Sequence, residues 1–244
     1  MFNLHLLKKS ISSNWILWSV TLGASLLIFI LFLKTIGSSA ESNSVVNVLG
    51  GFLTSLGINL PLVYIVVTGN KLVAVEVEKG DMAYYLSTPL SRTKILTTKM
   101  IFFSGSVICW TLTHFVIGCI FIGIFNISMP IHLWTVMTIN WTLLLLSFAG
   151  ISWLASCYFN KATFSLIFGA GIPSAFIVLS LLASIPQLNI EYLNYLSLLT
   201  LFKPEKINIS SVNTWLPQIA ALLAISVFLY GAGIYIFKKR DLPL

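Results

Sequence analysis

The sequence predicts an all-α membrane protein in which six helices cross the bilayer. The 244-residue chain is 57% hydrophobic and only 9% charged, whereas a soluble domain carries roughly 25% charged residues. Its apolar stretches are continuous and reach the length of about 20 residues that a membrane-spanning helix needs. They lack the short alternating segments of β-barrel strands. These observations exclude a soluble fold and favour a helical polytopic protein.

Six apolar stretches are predicted to span the membrane within a single domain that covers residues 1–244. They are residues 15–36, 45–69, 97–126, 131–159, 162–184 and 215–237. The first is similar to a secretory signal, because lysines precede it and small residues follow it. Its apolar core from Trp15 to Leu33 is longer than that of a signal, and five more stretches follow. We therefore expect an uncleaved first helix.

Residues 1–14 are predicted to form a separate helix that lies along the membrane surface. On a helical wheel the segment has an apolar side and a polar side. The apolar side carries Leu4, Leu6, Leu7 and Ile11, and the polar side carries His5, Lys8, Lys9 and Ser12. This arrangement is typical of an interfacial amphipathic helix. The alternative is a plain positive segment that only fixes topology.

The positions of lysine and arginine predict the orientation. With the N-terminus inside, the cytoplasmic side carries Lys8, Lys9, Lys71, Lys79, Arg92, Lys94, Lys99, Lys161, Lys238, Lys239 and Arg240, against Lys34, Lys203 and Lys206 outside. Because positive residues favour the cytoplasmic side, both termini are expected there. The net charge of +7 is therefore interpreted as a topology signal, and no nucleic-acid partner is expected.

Residues 185–214, before the last span, are too short and too polar to cross the membrane twice. Apolar residues at helical spacing are interrupted there by Asn189, Glu191 and Asn194. We expect one or two short helices that lie on the outer leaflet or dip into it as a re-entrant segment.

The sequence lacks common motifs of catalysis and nucleotide binding, namely GxxxxGK[ST], HExxH, GxSxG and CxxC. All seven acidic residues lie outside the predicted spans, whereas ion-coupled transporters place an ionisable group at membrane depth. His114 has no carboxylate nearby in sequence and is interpreted as a hydrogen-bond donor in helix packing. The three cysteines are interpreted as small apolar fillers, so no metal site is expected.

The charged segment, defined as residues 71–99, contrasts with the rest of the chain. It carries eight charged residues and the pair Tyr84 and Tyr85. Apolar residues at helical spacing predict a short helix from Glu78 onward. Pro89 is expected to end it, and Ser91 is expected to cap the next helix. A segment that only connected two spans would not need this pattern.

Within the charged segment, EKGDMAYYLSTPLSR resembles the pattern E-x-G-[TD]-x-[ED]-x-L-L-[ST]-x-P-[LIV]-[ST]-R of ABC-2 type permeases. These are the membrane subunits of one class of ATP-binding-cassette exporters. The matching positions are Glu78, Gly80, Asp81, Leu86, Ser87, Pro89, Leu90, Ser91 and Arg92. Ala83 and Tyr85 depart from the pattern, where the family often has an acidic residue and leucine. The predicted architecture resembles the family over the whole chain.

The resemblance implies that residues 76–92 contain a coupling helix that docks on a separate ATPase subunit. The implied docking residues are Glu78, Asp81, Tyr84, Tyr85, Leu86, Pro89 and Arg92, helped by Lys8 and Lys9 of the N-terminal helix. The partner subunit would bind ATP and Mg²⁺, and no cofactor is expected in this chain. The resemblance also implies a second permease copy, or a homologous permease, with the transport pathway between the two.

Two further motifs are candidates for the pathway or the dimer interface. Asn59 and Pro61 are expected to break the second helix. Gly169, Gly171 and Pro173 are expected to give the fifth span small residues and a kink. Ordinary helix packing is the alternative interpretation of both motifs.

These expectations describe a multi-pass permease of a bacterial plasma membrane that exports amphipathic or hydrophobic cargo. Toxin or antimicrobial peptides are favoured, because small permeases that look like this often export them, as in the staphylococcal phenol-soluble modulin exporters. The alternatives are a polytopic membrane enzyme and an ion-coupled secondary transporter. The missing paired His and Glu residues argue against the first alternative, and the missing membrane-depth carboxylates against the second.

Overall fold

A computed structural model describes residues 3–35, 42–86, 90–124, 130–183, 195–202, 204 and 212–240. Within these ranges the chain is helical apart from short turns and connections. No strand occurs within these ranges. Six helical segments there are long and apolar enough to cross a membrane. The predicted fold class, an all-α polytopic membrane protein, is therefore confirmed.

The spanning segments are numbered here in chain order. Span 1 is the helix Leu4–Thr35, span 3 Arg92–Ile124, span 4 Ile131–Tyr158, span 5 Ala162–Ala183 and span 6 Val212–Lys239. Span 2 is composite and consists of the α-helices Ser42–Thr54 and Leu56–Asn70, a π-helix Lys71–Val75 and a helical turn Glu76–Glu78. A short helix Asp81–Leu86 lies between spans 2 and 3, and a 3₁₀-helix Leu198–Leu201 precedes span 6.

Span 1 begins earlier than its apolar stretch. The residues predicted to form a separate interfacial helix begin a helix that continues unbroken through the span. Asn3 caps it, because its side-chain oxygen accepts hydrogen bonds from the backbone of His5 at 3.0 Å and Leu6 at 3.3 Å. No proline or glycine lies between Asn3 and Trp15, so nothing in the sequence ends the helix there.

Span 4 lies at the centre of the bundle and contacts spans 2, 3, 5 and 6. It carries three fully buried tryptophans, Trp134, Trp141 and Trp153. Span 1 packs mainly on spans 2 and 3 at the periphery. Burial in lipid gives little hydrophobic driving force between helices, so close van der Waals packing must hold them together.

Glycines let helices approach these tryptophans. A Cβ atom on Gly118 of span 3 would lie 2.7 Å from the ring of Trp134. A Cβ atom on Gly233 of span 6 would lie 2.7 Å from the ring of Trp153. Spans 3 and 6 can therefore lie against span 4 only because these two positions carry no side chain.

Span 2 is interrupted at Ser55, six residues before the proline that was expected to break it. Pro61 lies inside the helix Leu56–Asn70 and is buried. Proline removes one helical hydrogen bond and its ring crowds the carbonyl four positions earlier, which is that of Gly57 inside the same helix. The hydroxyl of Ser55 bonds the Gly51 carbonyl at the interruption. A Cβ atom on Gly57 would meet the Phe52 carbonyl oxygen at 2.8 Å, so the bend requires glycine there.

Most of the predicted re-entrant segment, residues 185–214, lies outside the described residues. The part that is described contains the 3₁₀-helix Leu198–Leu201, which Ser197 caps with its side chain. Leu199 and Phe202 are buried against the bundle. The hydroxyl of Ser197 also donates to the Phe176 carbonyl of span 5 at 2.9 Å.

Candidate functional site

The π-helix of span 2 lies at the end of the bundle that carries the charged segment, called here the charged end. A serine from span 4 is inserted into its hydrogen-bond ladder. The hydroxyl of Ser156 accepts from the backbone N–H of Ala74 at 2.9 Å and donates to the Asn70 carbonyl at 3.4 Å. In an α-helix those two backbone groups would bond each other. A side chain inserted into the ladder is a recognised origin of such helix irregularities, which are frequent at functional sites.

A buried lysine from span 3 completes the hydrogen bonding of the π-helix. Lys99 is 1% exposed. Its ammonium donates to the Leu72 carbonyl at 2.6 Å and forms an ion pair with Glu76. A charge this deeply buried is tolerated only when it is paired and hydrogen-bonded. Spans 2 and 3 are therefore joined by a charged contact that follows directly on the π-helix.

Glu78, next in the charged segment, contacts the start of span 5. Its carboxylate accepts a hydrogen bond from the backbone N–H of Ala162 at 2.6 Å. Ala162 is the first residue of span 5, where unpaired N–H groups and the helix dipole favour a negative charge. Glu78 therefore caps span 5 from a distance of more than eighty residues in sequence.

Two arginines join the charged segment to spans 4 and 6. Arg240, just after span 6, donates to the Cys157 carbonyl near the end of span 4 at 2.6 Å. Arg92, at the start of span 3, donates to the backbone carbonyl of Arg240 at 3.0 Å. Burial lowers the pKa of the Arg240 guanidinium from its ordinary value, but arginine stays charged in proteins. The two contacts form a chain from span 3 through span 6 to span 4.

Two hydrogen bonds attach span 1 to the charged end. The ammonium of Lys71, the first residue of the π-helix, donates to the Ser13 carbonyl at 2.8 Å. The backbone N–H of Asn3 donates to the hydroxyl of Thr98 in span 3 at 3.2 Å. The charged segment and the residues around it thus contact all six spans at one end of the bundle.

The comparison with known families agrees with this architecture. The family model described as ABC-2 family transporter protein matches residues 7–242. The chain belongs to the ABC-2 transporter family. No curated protein matches it.

Membership identifies the chain as a multi-pass membrane permease of the ABC-2 family, a transport subunit that is not catalytic alone. The family as a whole works with an ABC ATPase. The prediction of a permease is therefore confirmed at this level, and family membership favours it over a membrane enzyme or an ion-coupled transporter.

Three of the docking residues that the resemblance implied are exposed at the charged end of this ABC-2 permease. Glu78, Asp81 and Tyr84 are exposed, and Tyr84 is 74% exposed. Met82 is buried and anchors the short helix Asp81–Leu86 to the bundle. Gly80 has φ +80°, a left-handed conformation that makes the turn before this helix and suits glycine.

The other docking candidates are distributed differently. Arg92 is half-buried because its guanidinium bonds Arg240. The side chains of Tyr85 and Leu86, and all of Pro89, lie outside the described residues. Lys8 and Lys9 are exposed on the first turns of span 1. The docking role of every one of these residues stays a prediction.

Of the five residues predicted for the pathway or the dimer interface, two are exposed and three are buried. Asn59 is exposed, and its side chain donates to the Ser55 carbonyl at 2.9 Å. Gly171 is also exposed. Pro61 and Pro173 are buried in their own helices. Gly169 is buried where a Cβ atom would lie 3.3 Å from the hydroxyl of Ser152, so it serves packing between spans 4 and 5.

His114 is buried inside the bundle with hydrogen bonds at both ring nitrogens. One nitrogen lies 3.0 Å from the hydroxyl of Ser25, and the other 3.0 Å from the Trp110 carbonyl. The rings of Phe29, Phe52, Trp110 and Trp141 surround it. These contacts fit the expected role in helix packing. Within the described ranges no group of three His, Cys, Asp or Glu side chains could hold a metal ion.

Sequence reasoning did not predict the contacts of three residues at the charged end, and one of the three carried a signal. Lys99 lies inside the predicted third span, and an ionisable residue at such a position usually has a function. Ser156 carries no signal, since a serine in an apolar helix has many uses. The contact of Arg240 depends on where span 6 ends relative to span 4, which the sequence does not contain.

Proposed function

We propose that this chain is the permease subunit of an ATP-driven exporter, with the charged end facing the cytoplasm and the short helix Asp81–Leu86 docking on the ATPase subunit. The observation that carries the proposal is the set of contacts from the charged segment to all six spans. A displacement of this segment by a partner reaches every span through a hydrogen bond or an ion pair. The excess of lysine and arginine at this end supports the cytoplasmic orientation.

The coupling is mechanical and needs no chemistry in this chain. Met82 holds the short helix to the bundle, whereas Asp81 and Tyr84 present a charge and an aromatic ring outward. Aromatic residues often anchor protein interfaces. ATP and Mg²⁺ are bound by the partner subunit, and closure of two ATPase subunits would push on both permeases.

The exposed face of span 2 favours a second permease copy. Asn47, Gly51, Ser55 and Asn59 recur every four residues along it, and all are exposed in the single chain. Polar groups at membrane depth normally face protein or a water-filled cavity and not lipid. We therefore propose that this stripe faces the dimer interface or the pathway.

The cargo is proposed to be amphipathic or hydrophobic, with toxin or antimicrobial peptides favoured. The spans are rich in aromatic and aliphatic side chains, and the proposed pathway stripe is uncharged. A pathway of this composition would not stabilise a highly charged solute.

Co-purification tests the docking proposal. Tagged protein is extracted from its native membrane in mild detergent, and nucleotide-binding proteins in the eluate are identified by mass spectrometry and ATPase assay. The variant Asp81→Lys with Tyr84→Ala should recover roughly tenfold less ATPase than wild type, as expected for an interface anchor. The matched control, Lys238→Glu with Tyr235→Ala, changes an exposed lysine and an exposed tyrosine of span 6 and should recover as much as wild type.

Two outcomes would count against the proposal. Equal recovery from the docking variant and wild type would show that the ATPase binds elsewhere. Absence of any ATPase from the wild-type eluate, under conditions in which the membrane contains one, would remove the partner on which the proposal depends.

A further inference from the structure

Two adjoining cavities lie beneath the first half of span 1. One, of about 340 Å³, is apolar and lies between spans 1 and 3, with Leu7, Trp15 and Trp18 on one wall and Phe102 and Gly105 on the other. The other, of about 160 Å³, lies between span 1 and the π-helix. Asn14 lines both cavities.

The smaller cavity is polar and carries an excess of positive charge. Four lysines and two carboxylates line it, namely Lys9, Lys71, Lys79 and Lys99 with Glu76 and Asp81. Glu76 forms an ion pair with Lys99. The other charges of the lining are three positive lysines and the one negative carboxylate of Asp81. This balance favours an anion such as a phosphate group.

Asn14 at the junction is buried and incompletely hydrogen-bonded. It is 3% exposed, and its amide nitrogen donates to the Ser10 carbonyl at 2.9 Å. Its side-chain oxygen has no hydrogen-bond partner in the part of the chain that the structure describes. A buried acceptor of this kind calls for a donor, such as a hydroxyl group.

Apart from Asn14 at the junction, the lining of the larger cavity is almost entirely apolar. The indole N–H of Trp18 donates to the Ser106 carbonyl at 3.1 Å, and the Tyr64 hydroxyl donates to the Ser106 hydroxyl at 2.8 Å. These two groups are thus satisfied within the protein. An acyl chain fits such a surface, whereas a soluble anion gains nothing from it.

We infer that these two cavities form one binding site for an anionic phospholipid with a hydroxyl-bearing headgroup, such as phosphatidylglycerol. The phosphate lies near Lys9, Lys71 and Lys79, a headgroup hydroxyl donates to Asn14, and an acyl chain lies in the apolar cavity. Basic pockets between spanning helices commonly bind anionic lipids of the cytoplasmic leaflet. Only the choice of leaflet rests on the orientation proposed above.

The bound lipid would join three parts of the protein that the charged segment also joins. It contacts the start of span 1, the π-helix of span 2 and the third span. Its binding free energy would add to the stability of the folded chain, because a ligand that binds the native state alone stabilises it.

The test uses purified full-length protein, stripped of lipid in detergent and titrated with phosphatidylglycerol or phosphatidylcholine, with native mass spectrometry and the unfolding temperature as readouts. The headgroup variant is Lys9→Gln with Lys71→Gln, and its control is Lys238→Gln with Lys239→Gln, which removes two exposed lysines of span 6. The acyl-chain variant is Gly105→Leu, which fills the apolar cavity. Its control is Gly123→Leu on the same helix, since a Cβ atom at either glycine meets nothing within 4 Å.

The expected results differ between the variants. Wild type binds phosphatidylglycerol more tightly than phosphatidylcholine and melts at a higher temperature with it. The headgroup variant binds phosphatidylglycerol roughly 10- to 30-fold more weakly, as the loss of two lysines near an anionic lipid predicts. Gly105→Leu loses binding of both lipids, and the two controls match wild type.

Three results would overturn the inference. One is an unchanged preference for phosphatidylglycerol in the headgroup variant. Another is full lipid binding by Gly105→Leu. The third is competition by free glycerol 3-phosphate at the same concentration as the lipid, which would assign the site to a soluble anion. Because the purified chain is used alone, failure here is distinguishable from failure to recover an ATPase.

Discussion

The ion pair between Glu76 and Lys99 predicts an unequal cost for removing either partner. Lys99 is 1% exposed, whereas Glu76 is 22% exposed. The ammonium therefore depends on protein groups, while the carboxylate can reach water or lipid headgroups. Loss of one partner that leaves the other charge buried costs about 3–5 kcal/mol, whereas exposed pairs contribute about 0–1 kcal/mol.

We expect Glu76→Gln to be the more damaging of two single changes. It keeps the shape of the side chain but leaves the buried ammonium without the carboxylate, and it should lower the free energy of unfolding by about 3 kcal/mol. Lys99→Met keeps most of the volume of the lysine stem, leaves a carboxylate that can be hydrated, and leaves the Leu72 carbonyl without this donor. Its cost should be about 1–2 kcal/mol.

The double variant, Glu76→Gln with Lys99→Met, isolates the interaction. It removes both charges, so it should be more stable than Glu76→Gln alone, with a coupling of about 1–3 kcal/mol between the two positions. Unfolding is followed by tryptophan fluorescence in detergent micelles at increasing denaturant concentration. If Lys99→Met were the more damaging single change, or if the two effects simply added, the difference in burial would not control this pair and the reasoning would be refuted.

Three further predictions follow from contacts of the charged end and the core. Ser156→Ala should cost about 1–3 kcal/mol of stability and raise amide exchange at Ala74, because a buried backbone donor loses its acceptor. Gly118→Ala should destabilise by about 1–3 kcal/mol through its collision with Trp134, whereas Gly123→Ala, with open space around its Cβ atom, should gain up to about 1 kcal/mol from helix propensity. Glu78→Ala should cost about 0.5–2 kcal/mol, the usual value of a helix cap, and speed exchange in the first turn of span 5.

Each of these has an outcome that would contradict it. Unchanged exchange at Ala74 in Ser156→Ala would mean that the π-helix forms without the serine. Equal effects of alanine at Gly118 and Gly123 would show that span 3 can move away from Trp134 at no cost. Fast exchange that is confined to the short helix in Glu78→Ala, with span 5 unchanged, would remove the capping role of the carboxylate.

The fold class was predictable from the sequence because it depends on one-dimensional information. The length and continuity of the apolar stretches identify the spans, and the pattern around Glu78 and Arg92 identifies the family. The interruption of span 2 was misplaced for a local reason. Proline marks where a hydrogen bond is lost, but the chain bends earlier, where the Ser55 hydroxyl bonds the Gly51 carbonyl and Gly57 leaves room for the Phe52 carbonyl.

The contacts of the charged end could not be predicted in the same way. Ser156 and Ala74 are 82 residues apart in sequence, and their contact depends on how spans 2 and 4 pack. Glu78 was assigned to docking from a motif, whereas the structure also gives it a partner in span 5. Neither Asn14 nor Gly105 stands out in sequence, because the cavities that they line exist only between packed helices.

The π-helix also affects the angle, about the axis of span 2, at which the following residues leave that span. In an α-helix each residue of register corresponds to about 100° of turn and 1.5 Å of rise. Because the hydroxyl of Ser156 takes the place of a backbone bond between Asn70 and Ala74, the angle at which the chain leaves span 2 is set by span 4 and not by span 2 alone. A shift of one residue in this register would point the helix Asp81–Leu86 toward a different side of the protein. The direction in which the permease presents this helix therefore depends on a single serine near the end of span 4.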